Sequence, residues 1–241
     1  MKYKFAVDKE DYTDFASGRV LYSAPGTTGF PVRLTSEILQ RAFAILGTGG
    51  HNGPYTIYDP CCGGAFLLTT IGFLFPERIA QLIATDFDSN VLEIAVKNLS
   101  LLSPEGLAKR REELAGLAAA YGKDSHKEAL DSLERLRRRL GATRIGFLCQ
   151  QRDITDIKSS PVQGVDIIVT DIPYGQLVSW GGSGEDPLDT LFVNCRQALS
   201  SAGVLVIVAD KRPRLQHQAF QRREFLKLGK RQIAFFQPVH G

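Results

Sequence analysis

YTIYDPCCGGAFLLTTIGFLF, residues 55–75, is the stretch of sequence that decides the fold. Its first five residues predict a short buried strand that ends at Asp59. Gly63 and Gly64 then allow the backbone to turn tightly. The apolar run 65–75 is too long for most strands and follows the glycines, so it predicts a buried helix. A strand, a glycine turn and a helix in this order are typical of α/β folds that bind a ligand at the carboxyl ends of their strands.

The rest of the chain continues this alternation of strands and helices. Further strands are predicted at 79–86, 144–149, 165–171, 203–210 and 231–236. Further helices are predicted at 35–46, capped by Thr35 or Ser36, at 89–102, capped by Ser89 or Asp88, and at 187–199, capped by Asp186. The tail after residue 210 is expected to hold a short helix and one or two strands. The pattern predicts an α/β, Rossmann-like fold with a mostly parallel central sheet and helices on both faces.

Residues 103–141 interrupt the alternation. They carry nine Lys or Arg and seven Asp or Glu, with Leu and Ala at helical spacing and a break near YGKDS. We interpret them as an inserted helical hairpin. The chain of 241 residues is then expected to be one domain, with an N-terminal segment and helix at 1–46.

The composition argues against several classes of protein. No run of 18 or more apolar residues occurs, and the start MKYKFAVDKEDYTDF lacks the apolar region of a signal peptide. The four cysteines form no CxxC pair and the four histidines are scattered. We therefore expect reduced thiols, no metal site, no membrane partner and a cytoplasmic location. We also expect a monomer.

The charge is unevenly distributed. The whole chain is +3, yet residues 211–231 contain eight Lys or Arg against one acid, a net +7, so the remainder is −4. A basic cluster on a nearly neutral body suggests a polyanion as partner. The alternative is a solvated face of a C-terminal helix.

Four strands end in an acid or carry one shortly afterwards. Asp86, 27 positions after Asp59, is placed to accept hydrogen bonds from both ribose hydroxyls of a nucleoside. Asp88 lies closer to the next helix and also suits an N-cap. Asp153 could accept a hydrogen bond from an exocyclic amine, or it is a solvated loop acid.

The fourth acid, Asp171, is followed by Pro173, which turns the chain, and by Tyr174. A carboxylate can accept the protons of an amine, and an aromatic ring beside it can stack on a flat substrate. This pair therefore suits an aromatic base that carries an amino group.

Taken together, these motifs resemble the class I S-adenosylmethionine-dependent methyltransferases. DPCCGGAF is similar to their first motif, ATDFD to the second, RD at 152–153 to the third, and TDIPY to the [DN]-P-P-[YFW] motif of enzymes that methylate planar nitrogens. Residues 23–43, 95–107 and the charged hairpin extend the resemblance to the avilamycin-resistance ribosomal RNA methyltransferase family. That resemblance implies methylation of a guanine in large-subunit (23S) ribosomal RNA, and through it resistance to an orthosomycin antibiotic.

The resemblance also implies roles for individual residues. Asp171, Pro173 and Tyr174 would form the catalytic motif, in which Tyr174 stacks on the guanine. S-adenosylmethionine would be held by a set that includes a bidentate arginine for its carboxylate: Arg33, Asp59, Cys61, Gly63, Asp86, Asp88, Asp153 and Asp171. Ribosomal RNA would be contacted by Trp180, Lys211, Arg212, Arg222 and Arg223. Trp180 could instead pack its own loop.

Two residues depart from the family pattern. Ala65 stands where the first motif usually has its last glycine, and Ile172 stands where the fourth motif usually has its first proline. Neither change removes a chemical group, so activity is still expected.

Two other functions stay open at this point. The DIPYG motif is also similar to that of transfer-RNA guanine-N2 methyltransferases, although residues 1–34 are too short for the RNA-capturing domain those enzymes usually add. A non-catalytic RNA-binding protein on the same fold is the alternative from another class. Cofactor binding would separate it from an enzyme.

Overall fold

A computed structural model describes residues 2–23, 29–156, 162–172 and 186–239 of the chain. The described residues form one seven-stranded sheet. In chain order, its strands are β1 (Tyr55–Asp59), β2 (Ile79–Asp86), β3 (Gly146–Gln151), β4 (Val165–Asp171), β5 (Leu199–Asp210), β6 (Phe220–Leu228) and β7 (Arg231–Pro238). In space they follow the order β3-β2-β1-β4-β5-β7-β6. The first five are mutually parallel, whereas β7 runs antiparallel to both β5 and β6.

Helices cover both faces of this sheet. They are α1 (Val32–Thr48), α2 (Phe66–Leu74), α3 (Ser89–Ser100), α4 (Pro104–Tyr121), α5 (Asp124–Leu140) and α6 (Pro187–Ala198). One apolar cluster packs α1, α2, α3 and the α4–α5 hairpin on one face, and a second packs α6 on the other. In β1, Ile57 belongs to the first cluster and Tyr58 to the second, because successive side chains of a strand point to opposite faces. The predicted α/β fold with a mostly parallel sheet is confirmed.

Most predicted elements occur within a few residues of their expected limits, and Asp186 caps α6 by accepting a hydrogen bond from the backbone N–H of Leu188 at 3.0 Å. The predicted cap of the first helix is wrong. That helix begins at Val32, with Pro31 in the cap position. Proline is well suited to a helix start because its N–H is absent where helical N–H groups have no partner.

The predicted short helix in the tail is also wrong. Residues 220–228 form the edge strand β6, which pairs with β7 through a register shift between Arg222 and Glu224. The alternative of a basic face on a C-terminal helix therefore does not hold. Such a β-bulge and the charges around it are common devices that keep an edge strand from pairing with other chains.

The charged hairpin was predicted correctly, and most of its basic residues form ion pairs or hydrogen bonds within the chain. Arg135 makes a bidentate pair with Asp14, and Arg137 pairs with Glu134 at 2.8 Å. Such pairs are typical of an ordinary hairpin of two charged helices. Among the described residues, no helix is long and apolar enough to cross a membrane.

Candidate active site

The sheet changes direction between β1 and β4, which are neighbours in space although β2 and β3 lie between them in sequence. In open α/β sheets, ligands bind outside the carboxyl ends of the strands at such a switch point. β1 ends at Asp59, β4 ends at Asp171, and the adjacent β2 ends at Asp86. The structure thus brings three of the four predicted acids to one edge of the sheet.

The glycine turn after β1 is fastened at several backbone positions. The N–H of Cys61 donates to Oδ1 of Asp59 at 3.1 Å, and the N–H of Cys62 donates to the carbonyl of Thr85 at 2.9 Å. Gly63, at φ +50°, donates its N–H to Oδ2 of Asp86 at 2.8 Å. A Cβ atom at Gly63 would meet nothing within 4 Å. The turn is therefore anchored to the ends of β1 and β2, and it faces open space.

The departure at Ala65 has a structural consequence. Ala65 precedes α2 with φ 55° and ψ 29°, the left-handed conformation that favours glycine, and its side chain is fully buried. It is the one non-glycine residue with positive φ among the described residues. An L-residue held there costs about 1–2 kcal/mol, so the chain carries strain next to the predicted cofactor site.

Replacing Ala65 with glycine is expected to leave stability unchanged or raise it by up to about 1 kcal/mol. The relief of about 1–2 kcal/mol of strain is partly offset by about 0.8 kcal/mol for the lost buried methyl group. Ala42→Gly, at a buried position inside α1, is the matched control. It should lose about 2 kcal/mol through helix propensity and burial together. Urea unfolding measures both; equal losses in the two variants would show that Ala65 is unstrained.

Of the three acids, Asp86 accepts the most hydrogen bonds from backbone N–H groups of the described residues. Its residue surface is 8% exposed, and its two oxygens accept hydrogen bonds from the N–H groups of Gly63 and Asp88. Burial raises its pKa above the ordinary value, against these bonds. Asp88 caps α3 by accepting from Asn90 N–H at 2.9 Å, which agrees with the cap that the sequence left open for it.

Asp59 and Asp171 form an electrostatically unfavourable pair. Burial, together with the negative charges of Asp86 and Asp171, raises the pKa of Asp59 to about 7, although the hydrogen bond from the N–H of Cys61 opposes this rise. Burial raises the pKa of Asp171 to about 6, although Arg231 opposes this. Perturbed carboxyl groups gathered in one place are typical of functional sites.

Asp171 keeps one oxygen without a partner. Within the described part of the chain, its Oδ1 is buried and accepts no hydrogen bond. Ile172 behind it is buried, and its N–H donates to the carbonyl of Val208 at 2.8 Å. A proline at 172 could not make that bond. The second departure from the family pattern therefore extends the pairing of β4 with β5 at the site.

Two other predicted residues are engaged elsewhere. Arg33 donates from Nε and one terminal nitrogen to the carbonyls of Ala6 and Val7 at 3.0 and 2.7 Å, and it stacks on the ring of Tyr3. Asp153 is exposed, and its Oδ1 accepts from both N–H and hydroxyl of Thr155. Their roles toward the cofactor remain predictions.

Cys61 contributes through its backbone, as described above, and burial raises the pKa of its thiol well above the ordinary value. Pro173, Tyr174 and Trp180 lie outside the described residues, so their predicted roles stay predictions.

Phe87 is an aromatic residue at this edge that was not predicted from the sequence to take part in the site. Phe87 follows Asp86 directly and is 56% exposed, and the side chain of Gln151 donates to its carbonyl at 2.9 Å. A large exposed apolar ring beside a buried acid offers a flat surface for a flat ligand. Its position immediately after a strand-terminal acid is the signal that could have identified it.

The basic cluster of the tail divides into two groups. Lys211 directly follows Asp210, the last residue of β5. Lys230 lies in the turn before β7, whose first residue, Arg231, is opposite Asp210 in the sheet. These residues therefore lie at the same edge as the acids. Arg212, also at this edge, has an 82% exposed side chain that pairs with Asp210 at 3.0 Å.

Arg222 and Arg223 lie farther from the site. Across the sheet, Arg222 of β6 is opposite Phe236 of β7, and Phe236 is opposite Leu205 of β5. Leu205 lies five residues before the end of β5. At about 3.3 Å per residue this is roughly 17 Å along the strand. Arg222 stacks on the exposed ring of Phe225, 4.9 Å from the ring centroid, and Arg223 donates to Gln237 at 2.8 Å.

Comparisons with known proteins agree on one family. A family model described as "rRNA methyltransferase AviRa" matches residues 1–231. A Streptomyces viridochromogenes protein named 23S rRNA (guanine(2535)-N(1))-methyltransferase is 40% identical over 236 residues, which cover 95% of this chain and 93% of that protein. The solved structures of rRNA methyltransferase AviRa from the same organism at 1.5 and 2.4 Å are each 36% identical, with TM-scores of 0.87 and 0.85. Both cover 98% of this chain and 96% of the solved one.

Proposed function

This chain belongs to the rRNA methyltransferase AviRa family, and we propose that it methylates N1 of a guanine in 23S rRNA, with S-adenosylmethionine as methyl donor. The name of the 40% identical relative supports the substrate and the atom. The observation on this chain that carries the proposal is the buried, unpartnered Oδ1 of Asp171 at the switch point of the sheet.

The residues around the switch point fit S-adenosylmethionine. Asp86 accepts two backbone hydrogen bonds, but a carboxylate has about four acceptor sites, so it can still bind the two ribose hydroxyls. The exposed ring of Phe87 would lie against adenine. The turn at Cys61–Gly63 faces open space without a side chain at Gly63, and so allows the methionine moiety to approach the backbone.

The chemistry then requires a proton acceptor. When bound, S-adenosylmethionine supplies a methyl group from its sulfonium sulfur, which keeps the electron pair of the broken bond. Guanine N1 carries a hydrogen, so a methylated neutral base results only if that proton leaves. Asp171 would accept it through Oδ1, and its pKa of about 6 leaves it mostly ionised at neutral pH while keeping it a useful base.

The base must also be held in place. A guanine inside a folded RNA has to leave its stack to reach the site, and Tyr174 is proposed to stack on it after Pro173 turns the chain. Holding the base in line with the methyl group can supply up to about 7–11 kcal/mol of the barrier in ideal cases.

RNA phosphates are proposed to contact the basic residues of the tail. Lys211 and Arg212 are at the active-site edge, and Lys230 joins them from the turn between β6 and β7. Arg222 and Arg223 would contact RNA farther from the target base. Trp180 remains a proposed contact. Because the proposed substrate is rRNA, we place the protein in the cytoplasm. We also propose that it acts as a monomer.

The double variant Lys211→Gln, Lys230→Gln is expected to weaken RNA binding and to flatten its dependence on salt. Each lost phosphate contact with single-stranded RNA lowers the slope of log K against log salt by about 0.7, so the pair should lower it by about 1.4. Filter binding at several salt concentrations measures the slope. Lys127→Gln, a 68% exposed lysine of the hairpin, should leave it unchanged. An unaltered slope in the double variant would show that these lysines are solvated and do not contact RNA phosphates.

The alternatives left by the sequence are disfavoured. The matched family is one of ribosomal rather than transfer-RNA methyltransferases. A non-catalytic protein would have no use for the buried acids Asp59 and Asp86 beside the half-buried Asp171 at one edge, because uncompensated buried charges destabilise a fold.

The proposal is tested with methyl-labelled S-adenosylmethionine and both naked 23S rRNA and assembled large subunits as substrates. We expect one label per RNA molecule, mapped by mass spectrometry to a guanine. Methylation at N1 blocks the pairing edge of the base, so reverse transcription should stop there. Label on the exocyclic nitrogen or on another base, or no transfer to either substrate, would overturn the proposal. Cells expressing the active chain should also resist orthosomycins.

A further inference from the structure

Arg231, at the start of β7, lies beside Asp171, at the end of β4. It is the first residue of β7, where it pairs in register with Asp210 of β5 and Leu228 of β6. A terminal nitrogen of its guanidinium lies 3.9 Å from Oδ2 of Asp171. The antiparallel strand β7 thus places a cation at the edge of the sheet where the parallel strands β1, β2 and β4 end in acids.

A second contact restrains the same guanidinium. Its central carbon lies 5.5 Å from the centroid of the Phe30 ring, a cation–π distance. Phe30 is buried and precedes α1. Three distant segments of the chain therefore meet here: the end of β4, the start of β7 and the residues that lead into α1. The side chains of Arg231 and Asp171 are 26% and 29% exposed, so solvent screens their attraction less than it would at the surface.

The charges around Asp171 make this cation important. Asp59 of β1 is the neighbouring acid whose pKa is raised by the charge of Asp171, together with that of Asp86 of β2. The cation that acts on Asp171 itself is Arg231 of β7. Within the described part of the chain, Arg231 is thus the cation that opposes the effect of burial on Asp171.

We propose that Arg231 is a positioning residue for methyl transfer, which keeps Asp171 ionised and oriented with Oδ1 toward the guanine. This inference rests on the proposed role of Asp171 as proton acceptor. The ion pair of Arg231 with Oδ2 leaves Oδ1 available, and Phe30 limits the motion of the guanidinium.

The expected consequence is a change in pH dependence. Burial raises the pKa of Asp171 and Arg231 lowers it, so removal of the cation should raise the pKa further. A base acts only when ionised, hence the rate should fall at low pH and recover at high pH. An opposite charge within 4–6 Å usually lowers a carboxyl pKa by about 1–3 units. Because the pair is partly exposed, we expect a change of about one unit.

The test compares Arg231→Met, Arg231→Gln and Arg231→Lys with wild type in single-turnover assays at saturating RNA and cofactor from pH 5 to 9. Met and Gln should move the acidic limb upward by about one pH unit, slow the reaction about fivefold at pH 6, and approach the wild-type rate at pH 9. Lys, which retains the charge, should restore most of the rate. Cofactor affinity and thermal stability are measured alongside, and two neutral variants are used so that one remains if the other fails to fold.

Controls separate this inference from the function it rests on. Arg144→Met removes an arginine from an exposed pair with Glu105 and should leave the pH profile unchanged. Asp171→Asn should be inactive at every pH; if it keeps the wild-type rate, the proposed role of Asp171 fails. If Asp171→Asn is inactive but the acidic limb of Arg231→Met stays in place, Arg231 does not act through Asp171. A rate loss independent of pH would likewise reject the positioning role.

Discussion

Replacing Asp86 with alanine is expected to weaken binding of S-adenosylmethionine by a factor of about 10²–10³. The carboxylate is proposed to accept hydrogen bonds from both ribose hydroxyls, and bonds to a charged group contribute about 1.5–3 kcal/mol each. Two of them amount to about 3–4 kcal/mol after partial compensation, which corresponds to this loss. Asp86 also fixes the N–H of Gly63 at 2.8 Å, so the turn that faces the cofactor would lose an anchor as well.

Titration calorimetry with S-adenosylmethionine measures this effect directly. Asp131→Ala removes an exposed carboxylate of the hairpin and should leave the affinity unchanged. Asp86→Asn keeps the size of the side chain but loses its charge, and it should fall between wild type and Asp86→Ala. An affinity within about threefold of wild type in a well-folded Asp86→Ala variant would reject the role in ribose binding.

Replacing Glu37 with alanine is expected to lower the free energy of unfolding by about 3–5 kcal/mol, the usual cost of breaking a buried ion pair from one side. Glu37 is fully buried and accepts hydrogen bonds from the backbone N–H groups of residues 4–6 at 2.7, 2.9 and 2.8 Å. It also pairs at 2.6 Å with Arg41, whose other terminal nitrogen pairs with Glu224 of β6 at 2.5 Å. Without Glu37, three backbone N–H groups lose their acceptor, and the buried guanidinium of Arg41 loses one of its two carboxylate partners.

Glu128→Ala is the matched control. Glu128 also pairs with an arginine, Arg19, but its side chain is 59% exposed, and exposed pairs contribute at most about 1 kcal/mol. Urea unfolding at pH 7 should separate the two variants by at least about 2 kcal/mol. Similar losses would show that the buried pair adds nothing beyond a surface pair.

The Glu37 pair also predicts a direction of pH dependence. Burial would raise the pKa of Glu37, but the backbone hydrogen bonds and Arg41 outweigh it and hold the pKa below the ordinary 4.5. A depressed pKa stabilises the fold above the unfolded value. The contribution of Glu37 to stability should therefore be present at neutral pH and be lost as the pH falls through its folded pKa. The free energy of unfolding of Glu37→Ala should then change less with pH in the acid range than that of wild type.

The sequence was most informative where structure is decided by neighbours along the chain. β1, β2 and β4 have the predicted limits, and Asp186 caps its helix as expected. Strand ends, glycine turns and caps depend on residues within a few positions of each other, so their signals are readable locally. The same local signals placed Asp59, Asp86 and Asp171 at one edge, because parallel strands align their carboxyl ends.

What the sequence by itself determined is therefore the α/β alternation, the inserted hairpin and the motifs of the family. Only the tertiary structure decided that residues 220–228 are an edge strand, that the hairpin arginines are paired within the chain, and that Arg231 reaches Asp171. The strand depends on pairing with β7, and the ion pairs join residues as far apart as Arg135 and Asp14. Such contacts leave no periodic signal in the sequence, because their partners become neighbours only when the sheet and its helices have packed.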